Sequence, residues 1–140
     1  MTQSIQLKIG GEAGFGIMSG GTMLARAFAR HGYYVFTLNE YPSLIRGGHN
    51  IVTVRVATEK FFSLEGALAI LIALNKETVE LHKNELQKDT VIVFDPHDYE
   101  WKAGEMPVGV HLIPVAFRDI VGKLGGQAVM RNTVALGASV

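Results

Sequence analysis

The sequence predicts a three-layer α/β/α domain built on a mainly parallel, Rossmann-like sheet, and three observations predict it. Short β-branched and apolar runs recur at residues 5–9, 33–38, 51–56, 67–73, 91–94 and 110–115, with helical patterns between several of them. A glycine-rich turn, Gly10-Gly11-Glu12-Ala13-Gly14-Phe15-Gly16, joins the first run directly to a helical pattern. The runs at 67–73 and 91–94 are apolar on both faces, as strands are when helices cover a sheet from both sides.

In chain order, Ile5, Leu7 and Ile9 alternate with Gln6 and Lys8, which marks a strand, and Gly10-Gly11 ends it. From Ile17 to Arg30 the apolar residues Ile17, Met18, Met23, Leu24, Ala27 and Phe28 recur near three-and-four spacing, and Gly32 stands where a helix would stop. Residues 33–38 are aromatic and β-branched, so strand, turn, helix and strand read as a βαβ unit. Residues 51–56 form a strong strand, and residues 60–63 are expected to pair beside it as a short antiparallel extension. Asn75 is placed to cap a helix over residues 76–86 that carries Val79, Leu81 and Leu86. After the strand at 91–94 comes the polar turn Asp95-Pro96-His97-Asp98, then a loop over 99–109 and a last strand at 110–115. A helix over 116–124 is broken by Gly125-Gly126, and another starts around Asn132. That helix is expected to run on at Val140, so residues 1–140 read as a single domain truncated at its C-terminus.

Composition narrows the function. One domain's worth of chain, 140 residues, carries 13 Lys plus Arg against 13 Asp plus Glu, so no broad basic surface for nucleic acid or anionic membrane is expected. Cys is absent, which removes disulfides, thiolate nucleophiles and iron–sulfur ligation from this chain. The N-terminus lacks the charged head and apolar core of a signal peptide, and the apolar run 67–74 is too short to span a bilayer; a cytoplasmic protein is expected.

The chemistry concentrates in Glu40-Tyr41-Pro42-Ser43-Leu44-Ile45-Arg46-Gly47-Gly48-His49-Asn50. Pro42 fixes its own φ and biases Tyr41 to extended geometry, Gly47-Gly48 opens backbone angles closed to other residues, and Arg46 offers a planar fork of donors. Arg46 suits a carboxylate, a phosphate or a partner subunit, or else a surface ion pair with Glu40; Tyr41 and Ser43 can orient the loop, and His49 can brace it. In the first turn, Gly11, Gly14 and Gly16 suit tight strand-to-helix packing, or backbone donors for a phosphate of coenzyme A or another anion, or NAD or flavin. The dinucleotide fingerprint fits badly, since Gly20 follows Gly14-Phe15-Gly16 one residue late. Glu12 opposes an anion by its sign and reads better as a helix-start or subunit contact. Asp95, His97 and Asp98 form a second polar cluster at a strand end, more in keeping with a turn than a site. The histidines show no spacing for two metal ligands on one helix face, and no nucleophile elbow is present.

Together the two motifs resemble the gamma domain of 2-oxoacid:ferredoxin oxidoreductases. The Gly-Gly-Glu-Ala-Gly version resembles the 2-oxoglutarate type, in which this domain is fused at the N-terminus of the alpha subunit. The matching positions are Gly10, Gly11, Gly14 and Gly16 in the first motif and Tyr41, Pro42, Ser43, Arg46, Gly47 and Gly48 in the second. The resemblance implies a fold like domain III of pyruvate-ferredoxin oxidoreductase. It also implies an accessory place in a complex that decarboxylates a 2-oxoacid on thiamine diphosphate with magnesium, passes electrons through [4Fe–4S] clusters to ferredoxin and releases acyl-coenzyme A. Coenzyme A would reach the thiamine site past this domain. The implied partners are the thiamine-binding remainder of alpha and the beta subunit; the isolated chain would bind no cofactor firmly and be catalytically silent. Two alternatives stand beside it: a nicotinamide- or flavin-binding module with Glu40 at a ribose, and a structural adaptor docking through Tyr33, Tyr34, Phe61 and Phe62.

Overall fold

A computed structural model describes residues 4–42, 48–101 and 104–139. The elements in order are β1 (Ser4–Glu12), α1 (Ile17–Arg30), β2 (Tyr34–Glu40), β3 (His49–Ala57), β4 (Leu68–Ala73), α2 (Lys76–His82), β5 (Val91–Phe94), β6 (His111–Pro114), α3 (Phe117–Lys123) and α4 (Arg131–Gly137), with 3-10 turns at Lys83–Glu85 and Ala128–Met130. The six strands form one sheet in the order β2-β3-β1-β4-β5-β6.

Five strands run in one direction; β3 alone is reversed, pairing antiparallel with both β1 and β2, while β1–β4, β4–β5 and β5–β6 are parallel. The short link from Glu40 to His49 explains the reversal, because a parallel return needs a crossover of a dozen residues or more. The βαβ unit read from the sequence is present in split form: β1 and β2 are parallel and joined by α1, with β3 lying between them.

Two cores flank the sheet. On one face Leu7 and Ile9 of β1, Val52, Val54 and Val56 of β3, Ile72 and Val93 meet Ile17 and Leu24 of α1, Phe117 of α3 and Ala135 of α4. On the other, Leu71, Ala73, Ile92 and Phe94 meet Val79 of α2 and Leu86, with Tyr99, Trp101 and Met106 laid against them. The 99–109 loop therefore supplies part of the second layer: Trp101 stands edge-on to Phe94 with ring centroids 5.0 Å apart. Burying a core side chain of this kind contributes about 1.5–3 kcal/mol.

Three local expectations change. Residues 60–63 form no strand; Arg55 instead donates to the Ser63 carbonyl at 2.9 Å and lies over the Phe61 ring. The helix after Asn75 ends at His82 and tightens to a 3-10 turn, which brings Glu85 to within 2.6 Å of the Lys8 ammonium. In α4 the last α-helical residue is Gly137, although Ala138 still donates to the Val134 carbonyl at 3.0 Å.

Candidate functional site

The ends of β1 and β2 and the start of β3 lie at one end of the sheet, together with the carboxyl ends of β4, β5 and β6. Glu12 is the β-pair of His49, and one residue further Ala13 N–H donates to the Gly48 carbonyl at 3.0 Å. The glycine turn and the end of the Tyr41 loop are thus one continuous piece of backbone ladder. Ser43, Arg46 and Gly47 lie outside the described residues.

Each described site residue has a distinct local reason. Gly11 is buried, and an added Cβ would press at 3.0 Å on Ile17 and Leu74. Gly14 has φ +98, is exposed and has open space where a Cβ would go, so its backbone faces solvent. Gly16 has φ +70 and precedes α1 without a side-chain cap; its carbonyl accepts from Gly20 N–H at 2.8 Å and from the Asn132 side-chain amide at 2.9 Å. Gly48 has φ +101, and any side chain there would collide with the Pro42 ring. Tyr41 is 70% exposed, which leaves its phenol at the rim. Glu12 and Glu40 are exposed on either side of the reversed strand.

At the end of the loop lies His49, expected from the sequence to brace it by a hydrogen bond. The His49 side chain is 8% exposed and neither ring nitrogen has a hydrogen-bond partner among the described residues; Glu77 stands 3.8 Å from Nδ1. Burial holds His49 below the usual imidazole range, His82 nearby pushes the same way, and Glu77 opposes them. The two imidazoles sit 6.2 Å apart, and the His82 Nδ1 contacts Glu85 at 2.7 Å. Burial raises the Glu85 carboxyl, but hydrogen bonds from Lys8 and His82 outweigh it and the net direction is down.

The second cluster is a brace. Asp95, 1% exposed, accepts from His97 N–H and His97 Nδ1 at 2.9 Å each through one oxygen, and from Arg118 N–H at 2.9 Å through the other. Burial raises its carboxyl and these donors more than offset that, so it lies below the usual range. Arg118 also pairs with Asp98. The effect is to lock the end of β5 to the start of α3. Among the described residues no group of three or more His, Asp or Glu is arranged to hold a metal ion, and no helix is long and apolar enough to cross a membrane.

Asn132 and the His82–Glu85–Lys8 chain behind His49 are the participants that sequence reasoning missed. Lys8, a cation inside an alternating apolar strand, was the one visible signal. Asn132 had none, since its partner lies 116 residues away.

The two glycine-bearing segments meet at the carboxyl end of an open α/β sheet. The chain belongs to the pyruvate ferredoxin/flavodoxin oxidoreductase family, whose model matches residues 6–140. It is 27% identical over 132 residues to the alpha subunit of 2-oxoacid:ferredoxin oxidoreductase 2 from Aeropyrum pernix, covering 94% of this chain and 21% of that one. It is 25% identical to the 2-oxoacid:ferredoxin oxidoreductase alpha subunit of Saccharolobus solfataricus, covering 96% of this chain and 28% of that one. It therefore spans under a third of these relatives' length. A 2-oxoglutarate:ferredoxin oxidoreductase from Magnetococcus marinus, solved with 2-oxoglutarate, coenzyme A and succinyl-CoA, superimposes with a TM-score of 0.87 at 30% identity over 97% of this chain and 24% of that one. The gamma subunit of a keto/oxoacid ferredoxin oxidoreductase from Geobacter sulfurreducens shares the fold, with a TM-score of 0.80 at 21% identity over 99% of this chain and 75% of that one.

Proposed function

We propose that this chain is the gamma-type accessory domain of a 2-oxoacid:ferredoxin oxidoreductase complex, N-terminal in an alpha subunit, with 2-oxoglutarate the favoured substrate. The complex, cytoplasmic in this reading, oxidatively decarboxylates the oxoacid to an acyl-coenzyme A and passes the electrons to ferredoxin. The observation that carries the reading is the Ala13–Gly48 backbone bond, which welds the two family motifs into one surface. Thiamine diphosphate, magnesium and [4Fe–4S] clusters belong to the partner domains, and the absence of Cys fits that division. The solvent-facing backbone at Gly14 fits a passing anionic group of coenzyme A, with Gly11 and Gly16 shaping the turn and Tyr41 and Gly48 at the ends of the second motif, whose Ser43, Arg46 and Gly47 are proposed to join them.

A nicotinamide module is the weaker reading. In that arrangement the ribose-binding acid ends the strand beside the one that feeds the glycine turn. Here β3 separates Glu40 from β1 by two strand spacings, about 9–10 Å.

Reconstitution tests the proposal. The complex carrying this domain, supplied with coenzyme A and ferredoxin, should reduce ferredoxin faster with 2-oxoglutarate than with pyruvate or 2-oxoisovalerate. Undiminished turnover by a complex deleted for residues 1–140 would remove the accessory role, and a preference for pyruvate would remove the substrate assignment alone.

A further inference from the structure

At the end of the sheet opposite the glycine turn, the ladder between β1 and β4 slips: Gln6 pairs with Leu68, but Leu7 pairs with Ile70, so Ala69 has no counterpart on β1. A bulge of this kind opens a gap in the ladder and re-aims the side chains beside it. A cavity of about 250 Å³ lies there, with Gln6, Arg55, Gly66, Lys88, Asp89 and Thr90 in its wall.

Gln6 and Arg55 are direct partners across the β1–β3 pair, so their side chains share one face of the sheet. They do not join. Arg55 donates instead to the Ser63 carbonyl at 2.9 Å and to Ser4 Oγ at 3.4 Å. Gln6 is 8% exposed, and its Oε1 is buried with no hydrogen-bond partner among the described residues. Leaving a buried acceptor unanswered costs stability, whereas an apolar side chain of similar shape would not. A Cβ built on Gly66 would lie 3.8 Å from Gln6 Oε1 and 3.9 Å from Arg55 Cζ. The missing side chain at Gly66 therefore leaves open the point on which acceptor and guanidinium converge.

The rim adds one charge of each sign. Lys88 makes no ion pair among the described residues, and the Asp89 carboxylate is 75% exposed, 3.7 Å from His111 Nε2. The Thr90 hydroxyl is already committed to the Leu68 carbonyl at 2.7 Å, so it closes the wall and offers no donor. A plain anion would answer Arg55 and Lys88 but leave Gln6 Oε1 without a donor, and a plain amine would do the reverse. A molecule carrying both signs answers all four.

We propose that this cavity binds a free α-amino acid, its carboxylate on Arg55 and Lys88 and its ammonium on Gln6 Oε1 and Asp89. The site stands at the far end of the sheet from the two glycine motifs, so it rests on neither the oxidoreductase reading nor the choice of oxoacid.

Calorimetric titration of the intact protein that carries this domain tests it, with glycine, L-alanine, L-serine and L-glutamate as ligands and acetate and ethylamine as carriers of one sign alone. At least one amino acid should bind with a Kd of about 1 mM or lower, and acetate and ethylamine more weakly by about tenfold or more. Gln6→Leu should weaken that binding about tenfold or more. The same substitution should leave the melting temperature unchanged or raise it, because it removes an unanswered acceptor. Gly66→Ala sets a methyl group at ordinary contact distance, so it should fold like the parent and still obstruct the ligand; it decides the matter alone if Gln6→Leu does not fold. Absence of amino-acid binding would overturn the proposal, as would acetate binding as tightly as the amino acids. Binding that survives both substitutions would overturn it too, and a lowered melting temperature in Gln6→Leu with binding intact would make Gln6 a structural residue.

Discussion

His49 and Asp95 are both buried ionisable side chains, and their pKa values are displaced downward for opposite physical reasons. His49 has no hydrogen-bond partner among the described residues, so burial disfavours its charged form; Asp95 has three donors, which favour its charged form despite burial. The consequences for stability separate along the pH axis. A histidine with a folded pKa below about 6.5 binds protons more readily when unfolded. Stability contributed by burying neutral His49 is therefore present above that pH and declines as pH falls below it. The groups facing the ring are Glu77 and His82 of α2, with Glu12 its neighbour across β1 and Glu85 and Lys8 beyond His82. Asp95 and Glu85 contribute stability that is present above their unfolded values near 4 and lost as pH falls through their lower folded values. Urea titrations at stepped pH should show two declines, one beginning below about pH 6.5 and a second below about pH 4. His49→Gln should abolish the first and keep the second. A single decline near pH 4 in the unaltered protein would show that His49 does not titrate as its burial implies. Asp95→Ala leaves the Arg118 and His97 donors unanswered and should cost about 2–3 kcal/mol in the same assay.

Among the elements, periodicity made β1, β3, β4 and β5 legible because alternation or continuous apolarity reports directly which faces are covered. The Asn75 cap was equally legible, and its Oδ1 does accept from Thr78 N–H at 3.0 Å. Neighbour relations were another matter. Nothing in the composition of β1 and β2 says that β3 inserts between them; only the brevity of the 41–48 link carries that information. Residues 60–63 look like a strand by propensity, but the Arg55 guanidinium claims both the Ser63 carbonyl and the Phe61 ring. Of the candidate site, the glycines were readable because positive φ is a local requirement. The link from Asn132 to Gly16 was not, because no local pattern predicts a contact over 116 residues. Comparing two glycines tests how the turn and loop divide their duties. Gly48→Ala combines φ +101 with a collision against Pro42 and should destabilise the domain by about 2–3 kcal/mol. Gly14→Ala has a similar φ but open space, and should cost only about 1 kcal/mol. If the exposed Gly14 backbone serves coenzyme A, Gly14→Ala should nonetheless raise its KM in the reconstituted complex. Equal melting losses for the two variants would show that Pro42 yields and that loop packing is not the constraint.

At the scale of the whole molecule, the domain is built to hold one end of its sheet still. The β1–β3 ladder, the Asn132 bond to Gly16 and the Asp95 brace all converge on that end. The exposed rim, from Gly14 to Tyr41, is left without a covering layer. Under the accessory role proposed for this domain, the isolated chain should fail to reduce a dye with any 2-oxoacid. Detection of such activity in a preparation free of other subunits would contradict the division of labour. Arg46 is where side-chain chemistry should enter. The described residues that flank it are fixed by the Pro42 ring lying where a Gly48 side chain would go and by the Ala13–Gly48 backbone bond. Arg46→Ala should then leave the isolated domain's stability within about 0.5 kcal/mol of the parent, while assembly or turnover of the complex falls. Lys should rescue poorly if the group bound is a carboxylate or phosphate, because a point charge cannot reproduce two parallel hydrogen bonds. Full rescue by Lys would mean that charge alone matters. Unfolding of the Ala variant would make Arg46 a brace, and wild-type turnover would shift the loop's role to its backbone.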